Sequence, residues 1–151
     1  MNEEKNENSW KDAADEIGRG ASSPGEPAKR VLLVDDEEPV LRSLLHLFSD
    51  EGGYELETAA TGWEALSKVT AFSPDVVVLD MKMSVPDGFD ILRMIRDEVG
   101  RGMKVVVYSG VIPKELTGQL YGEGAHAFVD KTSDPQFLLD VVAALCRDCA
   151  S

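Results

Sequence analysis

The sequence predicts an α/β fold in which one parallel β-sheet is covered by helices on both faces. Three observations support this prediction. Five short apolar runs alternate with helix-like stretches, the alternation fills about 120 residues, and the run Val76–Leu79 is apolar throughout. Such a run is typical of a central strand in a parallel sheet, which is buried on both faces. The chain has 151 residues, the usual size of one domain.

The predicted strands are the five apolar runs, which are rich in residues that favour strands. They cover residues 31–34, Tyr54–Ala59, Val76–Leu79, 104–108 and 127–129. The first helix-like stretch has apolar residues at the spacing i, i+3, i+4 and i+7, namely Leu41, Leu44, Leu45 and Phe48. Pro39 is tolerated in the first turn of that helix.

The remaining helices are predicted from caps and apolar faces. The second begins at Thr61-Gly-Trp-Glu64, which is a capping-box pattern. The third and fifth each have one apolar face, formed by Phe89, Leu92, Ile95 and Val99 in the third and by Phe137, Leu138, Val141, Val142 and Leu145 in the fifth. The fourth, over 113–121, is predicted to be weak, because Gly118 in a helix interior costs about 1 kcal/mol.

Residues 1–28 differ in composition from the rest of the chain. They contain seven acidic and three basic residues and end in a segment rich in Gly, Ser and Pro. Such a stretch has too little apolar surface to offset the entropy of ordering it, so we predict a disordered acidic tail followed by one domain over 29–149. The alternative is a short docking helix, since four apolar residues have helical spacing: Trp10, Ala13, Ala14 and Ile17.

The overall charge excludes several classes of partner. The chain carries 28 acidic and 15 basic residues, which gives a net charge of −13. A negative field of this size repels phosphate backbones and anionic lipids, so we expect neither direct nucleic-acid binding nor membrane binding. No apolar run approaches the ~20 residues of a membrane span, and the N-terminus lacks a signal-peptide pattern. The two cysteines, Cys146 and Cys149, close a helix without further zinc ligands, so we interpret them as structural and expect a cytoplasmic protein.

Reactive side chains follow four of the predicted strands. Asp35 and Asp36 follow the first strand, Asp80 follows the third, Ser109 follows the fourth and Lys131 follows the fifth. Because the carboxyl ends of parallel strands lie at one edge of a sheet, where ligands of such folds bind, we expect these residues to converge.

The converging residues have the chemistry of a phosphoryl acceptor. Two unit charges ~4 Å apart repel by about 4 kcal/mol at an effective dielectric constant of 20, so three carboxylates favour a bound cation. Mg²⁺ prefers one or two carboxylates with waters and a phosphate, which predicts a magnesium site on Asp35 and Asp36. Asp80 is the expected nucleophile, with Lys131 and Ser109 contacting the transferred group.

Four motifs carry a resemblance to a known family. The sequence resembles the receiver domain of two-component response regulators through Val-Leu-Leu-Val-Asp-Asp-Glu-Glu (31–38), Val-Val-Val-Leu-Asp-Met-Lys-Met with Pro-Asp-Gly (76–83 and 86–88), Tyr-Ser-Gly (108–110) and Ala-Phe-Val-Asp-Lys (127–131). The resemblance implies a flavodoxin-like, doubly wound (βα)5 fold with strand order 2-1-3-4-5. It also implies Mg²⁺-dependent transfer of a phosphoryl group to Asp80 from a sensor histidine kinase or a histidine phosphotransfer protein.

The same resemblance assigns roles to individual residues. The metal ligands would be Asp35, Asp36 and Asp80 together with the backbone carbonyl of Lys82. Lys131 would contact the phosphoryl group, while Ser109 and Phe128 would be the switch hydroxyl and the switch aromatic residue. The protein would catalyse only its own phosphorylation and dephosphorylation, and it would pass its signal to a downstream protein target.

The sequence departs from the usual pattern of the family in three places. Ser84 and Val85 stand in place of a proline and a glycine after the acceptor, which indicates a different path for that loop. Gly110 replaces an alanine after the switch hydroxyl and opens access to the phosphoryl group. Thr132 replaces the proline that is frequent after the lysine, but none of these changes removes a reacting group.

Other functions fit less well or stay open. An aspartyl-phosphate phosphatase needs an acid two residues after its nucleophile, whereas position 82 is lysine, and an electron carrier of this fold needs a hydroxyl- and glycine-rich first loop. A phosphorelay intermediate and a constitutive scaffold without phosphorylation remain as alternatives. The sequence leaves the oligomeric state open. Because the chain ends after its fifth helix, we expect either a single-domain regulator or part of a longer one.

Overall fold

The structure is a computed structural model that describes residues 27–84, 86–95, 102–110 and 114–149. Its five strands are parallel and lie in the order β2-β1-β3-β4-β5. They are β1 (Lys29–Val34), β2 (Tyr54–Ala59), β3 (Val76–Leu79), β4 (Lys104–Ser109) and β5 (Ala127–Asp130). The described helices are α1 (Glu38–Glu51), α2 (Gly62–Phe72), α3 (Gly88–Met94), α4 (Lys114–Gly122) and α5 (Pro135–Cys149). The predicted fold class and strand order are confirmed.

Some predictions concern parts of the chain outside the described residues. The predicted tail covers 1–28, of which only Pro27 and Ala28 are described, and the docking helix considered for it lies within 1–26. Val85 in the loop after the acceptor and Val99 on the predicted face of the third helix also lie outside.

The core consists of two apolar layers, one on each face of the sheet. Alternate strand residues face opposite sides, because successive side chains of a strand point in opposite directions. The layer that also includes buried residues of α2 and α3 contains Leu32, Val34, Val77, Leu79, Val105 and Val107 from the strands. The layer that also includes buried residues of α1 and α5 contains Val31, Leu33, Val76, Val78, Val106 and Val129. The polar ends of the strands are therefore held on a rigid, two-sided core.

Two details of the helices differ from the sequence prediction. At the start of α2, the Thr61 hydroxyl accepts a hydrogen bond from Glu64 N (3.1 Å), but the Glu64 carboxylate accepts one from Ala60 N (2.8 Å) instead of Thr61 N. On α5, Phe137 was assigned to the apolar face but is 48% exposed, whereas Leu139 is 4% exposed. The buried stripe of α5 is centred on three residues spaced four apart, Leu138, Val142 and Cys146. Leu139 flanks this stripe on the side that the sheet covers, whereas Phe137 flanks it on the side that faces solvent.

Gly118 lies inside α4, as the sequence predicted, and offers a test of that weak helix. No heavy atom of the residues that the structure describes would lie within 4 Å of a Cβ atom at this position. We expect Gly118→Ala to raise the free energy of unfolding by about 0.5–1 kcal/mol, because alanine loses less backbone entropy than glycine on forming a helix. Urea unfolding monitored by circular dichroism measures this change, and a lower free energy of unfolding would show that the position is not open.

His126 connects the start of β5 to β4 and makes stability depend on pH. Its Nδ1 accepts a hydrogen bond from Val105 N (3.1 Å), and its own backbone N donates to Val105 O (2.8 Å). Burial, with a smaller effect of the Lys104 charge, lowers the pKa of His126. The unfolded chain therefore binds the proton more tightly, so stability is lost as the pH falls through the unfolded pKa of about 6.5 toward the lower folded value.

We expect His126→Asn to reduce this pH dependence between pH 7.5 and pH 5.5, values that flank the unfolded pKa of about 6.5. The asparagine side chain keeps an acceptor for Val105 N but does not titrate. The matched control is His46→Asn at the exposed His46 of α1. Urea unfolding at the two pH values gives the comparison, and equal slopes for His126→Asn and the wild type would contradict the assignment.

Candidate functional site

The backbone hydrogen bonds of the sheet continue past the ends of the strands. They bring four residues of the predicted site to the carboxyl edge of the sheet, namely Asp35, Asp80, Ser109 and Lys131. Asp35 N donates to Ala59 O (3.1 Å), and Asp80 N donates to Val34 O (3.0 Å). Lys131 N donates to Ser109 O (3.0 Å). These bonds fix the backbone of Asp35, Asp80 and Lys131 in register with the sheet, so the convergence predicted from the sequence is present in the structure.

Three carboxylates form the centre of the site. One oxygen each of Asp35, Asp36 and Asp80 lies within 4.8 Å of the others. Asp35 is 1% exposed and Asp80 3% exposed, whereas Asp36 is exposed to solvent. Asp35 Oδ1 accepts a hydrogen bond from Glu37 N (2.9 Å), and Asp80 Oδ1 accepts one from Lys82 N (3.2 Å). Two buried carboxylates and one exposed carboxylate at this spacing fit a hard divalent cation that keeps several water ligands.

Lys131 partly neutralises the buried carboxylates. Its Nζ lies 2.7 Å from Asp35 Oδ2 and 3.5 Å from Asp80 Oδ1. Burial by itself would lower the pKa of Lys131, but the hydrogen bond and the charge of Asp35, together with Asp80, raise it. Lys131 is therefore a fixed positive charge beside both carboxylates, and it lies closer to Asp35 than to Asp80.

Burial perturbs the carboxylate of Asp80. Burial raises its pKa above the usual value and the negative charge of Asp35 adds to this, whereas the Lys82 N–H and Lys131 act in the opposite direction. A carboxylate whose charged form is disfavoured is stabilised by a nearby cation or by a covalent bond that removes its charge. Asp80 therefore has the environment of a reactive group as well as its position.

Ser109 and Phe128 lie on the adjacent strands β4 and β5. Ser109 is 1% exposed, and its hydroxyl has no hydrogen-bond partner in the part of the chain that the structure describes. Phe128 is half-buried, and its ring makes an edge contact with Tyr121 of α4 at a centroid distance of 4.5 Å. A buried hydroxyl without a partner is rare and is available to bond an oxygen of a ligand.

The departure from the family pattern at Thr132 has a local structural solution. Asp130 Oδ1 accepts hydrogen bonds from both Thr132 N (2.8 Å) and Thr132 Oγ1 (2.7 Å), so the turn after Lys131 is closed without a proline. Among the described residues, no heavy atom would lie within 4 Å of a Cβ atom at Gly110, in agreement with an open position after Ser109. Ser84 is exposed.

Sequence reasoning did not assign a role to Tyr108. Its ring lies 6.0 Å from Lys131 Nζ, and burial raises its pKa. An aromatic ring at this distance attracts the ammonium group and limits the directions in which it can move. The signal in the sequence was its position directly before Ser109, at the end of an otherwise aliphatic strand.

Two further residues of interest lie away from the site. Cys146 is fully buried in the layer beneath α1 and α5, and His46 is exposed on α1.

Among the described residues, none of the helices combines the length and the apolar composition that a membrane-spanning segment requires.

Comparison with known proteins identifies the class of this fold and site. The family model for the response regulator receiver domain matches residues 31–143. The chemotaxis protein CheY of Treponema pallidum is 30% identical over 135 residues, covering 88% of this chain and 92% of that protein. This chain therefore belongs to the response regulator receiver domain family.

Solved structures agree with this membership. The CheY-like receiver domain protein of Methanospirillum hungatei is 28% identical with a TM-score of 0.75, covering 82% of this chain and 97% of that chain. CheY4 of Vibrio cholerae is also 28% identical, with a TM-score of 0.72, covering 78% of this chain and 98% of that chain. Four other curated relatives, methylesterases and transcriptional regulators, align over only 21–33% of their own length.

Proposed function

We propose that this protein is a phosphoacceptor response regulator that receives a phosphoryl group on Asp80 and then switches a protein-binding face. The observation that carries the proposal is the buried Asp80 carboxylate within 4.8 Å of two further carboxylates and 3.5 Å from Lys131 Nζ. The donor would be the phosphohistidine of a sensor histidine kinase or of a histidine phosphotransfer protein. The protein would act in the cytoplasm, without direct binding to nucleic acid or membrane, and would catalyse only its own phosphorylation and dephosphorylation.

A magnesium ion fits the site, and its ligands would be Asp35, Asp36, Asp80 and the backbone carbonyl of Lys82. The donor set is one of hard oxygen atoms, and the Lys82 peptide lies at the site because its N–H bonds to Asp80 Oδ1. When bound, Mg²⁺ would neutralise the charge that develops on the transferred group.

The protein's own side chains have three roles in this proposal. Asp80 supplies the attacking oxygen, and the bond between phosphorus and the donor nitrogen breaks as the aspartyl phosphate forms. Lys131 turns from Asp35 toward the phosphoryl oxygens, and the unpartnered Ser109 hydroxyl donates a hydrogen bond to one of them. Movement of Ser109 leaves space for Phe128, whose ring contact with Tyr121 connects the site to α4.

The proposal is tested by incubating the full chain with acetyl phosphate and Mg²⁺ and measuring its intact mass. We expect a gain of one phosphoryl group that requires Mg²⁺ and disappears in hydroxylamine, which cleaves acyl phosphates. An unchanged mass would favour the constitutive scaffold. Rapid transfer of the label to an added histidine phosphotransfer protein, without any change in exchange of α4 amides, would favour the relay intermediate.

Magnesium alone is expected to stabilise the unphosphorylated protein. A ligand that binds only the folded state stabilises it by about 2.7 kcal/mol at a concentration 100 times its dissociation constant, and here it also relieves the repulsion between carboxylates. Thermal unfolding with and without MgCl₂ at constant ionic strength should show a higher Tm with Mg²⁺ that EDTA reverses. An equal Tm in both conditions would count against the site.

A further inference from the structure

The loop between β3 and α3 folds back onto the acceptor residue itself. Gly88 is the first residue of α3, and a Cβ atom there would lie 2.5 Å from Asp80 O and 2.6 Å from Met81 Cα. Real Cβ atoms essentially never approach backbone atoms so closely. The φ of Gly88 is not in the left-handed region, so glycine is required here by the close contact and not by its backbone conformation.

The start of α3 is held rigidly against Asp80. Asp87 Oδ1 accepts a hydrogen bond from Asp90 N (2.9 Å), and Asp90 Oδ2 accepts one from Asp87 N (3.2 Å). This reciprocal capping box fixes the first turn of the helix. From the other side, Gly62 at the start of α2 is in close contact with the buried Pro86. Residues 86–88 are therefore confined between the N-terminal ends of two helices.

We propose that Gly88 is a positioning residue for Asp80. Packing of α3 directly on the Asp80 peptide fixes the direction of the acceptor carboxylate toward Asp35 and Asp36, and it holds the peptide whose Lys82 N–H bonds to Asp80 Oδ1. A side chain at position 88 pushes against backbone atoms of Asp80 and Met81, which cannot move without moving the carboxylate. The effect of Gly88 on phosphoryl transfer rests on the proposed function. Its effect on the geometry of the three carboxylates is independent of that function.

The first test compares Gly88→Ala with Gly118→Ala in the full chain, using conditions in which circular dichroism shows both to be folded. We expect Gly88→Ala to weaken Mg²⁺ binding, measured by calorimetry, by about 10-fold or more, as loss of an orienting partner does at metal sites. Phosphorylation by acetyl phosphate should slow by up to about 100-fold, the effect of a misplacement of about 1 Å. Gly118→Ala should change neither quantity by more than about twofold, since its site is open.

A spectroscopic measurement separates positioning from a general loss of stability. The amide proton of Lys82 reports the hydrogen bond to Asp80 Oδ1, and its NMR signal should shift in Gly88→Ala but not in Gly118→Ala. Adding Met81→Ala to Gly88→Ala should not restore the signal, because the Met81 sulfur, 2.7 Å from the added Cβ, is the flexible part of the contact and the backbone atoms remain. Restoration by Met81→Ala, or a Lys82 amide and an Mg²⁺ affinity unchanged by Gly88→Ala, would overturn the proposal.

If Gly88→Ala does not fold, a second pair of variants tests whether the start of α3 positions Asp80. Asp87→Ser keeps a capping oxygen for α3, whereas Asp87→Ala does not, and both remove the same charge. Asp87→Ala should therefore shift the Lys82 amide and weaken Mg²⁺ binding more than Asp87→Ser does, and equal values for the two variants would refute the proposal. A wild-type chain that binds Mg²⁺ but gains no phosphoryl group would refute the proposed function while leaving this inference standing.

Discussion

Asp80→Asn is expected to abolish the gain of a phosphoryl group completely. The amide cannot act as the nucleophile, and the remaining carboxylates, Asp35 and Asp36, follow β1 and not the central strand β3. The fold should be retained, and the free energy of unfolding without Mg²⁺ should rise at neutral pH, because burial and Asp35 disfavour the charged form of Asp80 and raise its pKa. Intact-mass measurement and urea unfolding test the two parts of this prediction.

The matched control is the same substitution at the other end of β3. Asp75 directly precedes that strand, and its Oδ2 accepts a hydrogen bond from Arg30 N (2.9 Å), which an asparagine oxygen can also accept. Asp75→Asn should therefore be phosphorylated like the wild type. A mass gain retained in Asp80→Asn, with the label on Asp35 or Asp36, would show that the acceptor was assigned to the wrong carboxylate.

Lys131→Met is expected to slow phosphoryl transfer by about 10²–10³-fold, which is the typical effect of removing one preorganised charge-stabilising group. Methionine keeps much of the length of the side chain but not the ammonium group. At the same time Mg²⁺ should bind more tightly, because the cation no longer competes with an ammonium 2.7 Å from Asp35 Oδ2. Opposite changes in rate and in metal affinity distinguish loss of this charge from general damage to the site.

Measuring the rate of phosphorylation by acetyl phosphate and the Mg²⁺ affinity of the same variant tests this prediction. Lys29→Met, at the opposite end of the sheet, serves as the control and should leave both quantities unchanged. If Lys131→Met were phosphorylated at the wild-type rate, the contact between Lys131 and Asp80 would have no role in transfer.

Much of the fold and of the site could be predicted because it depends on short-range patterns. The uninterrupted apolar run before Asp80 indicated a central strand, and in a parallel sheet all strands end at the same edge, so the positions of Asp35 and Lys131 followed from the order of elements alone. The boundaries of β2 and β3 agree with the prediction for the same reason.

The remaining features depend on contacts that periodicity does not encode. The exposure of Phe137 depends on how α5 is rotated against the sheet, and the hydrogen bonds of the Thr132 turn depend on the Asp130 side chain two residues earlier. The preference of Lys131 for Asp35 over Asp80 depends on the reach of one flexible side chain. The close contact of Gly88 with the Asp80 backbone joins two residues eight positions apart, and no local sequence pattern predicts it.

The ion pair between Lys131 and Asp35 also sets the electrical balance of the pocket. Three carboxylates and one ammonium group sum to −2, the charge that a single Mg²⁺ would cancel. Formation of the acyl phosphate removes one carboxylate charge and adds about −1.5 to −2 from the phosphoryl group, so the charge of the pocket changes by only about −0.5 to −1. On a protein whose net charge is already −13, so small an increment is a weak long-range signal. A partner that distinguishes the two states must therefore read the altered shape of the surface, and its selectivity should depend little on ionic strength.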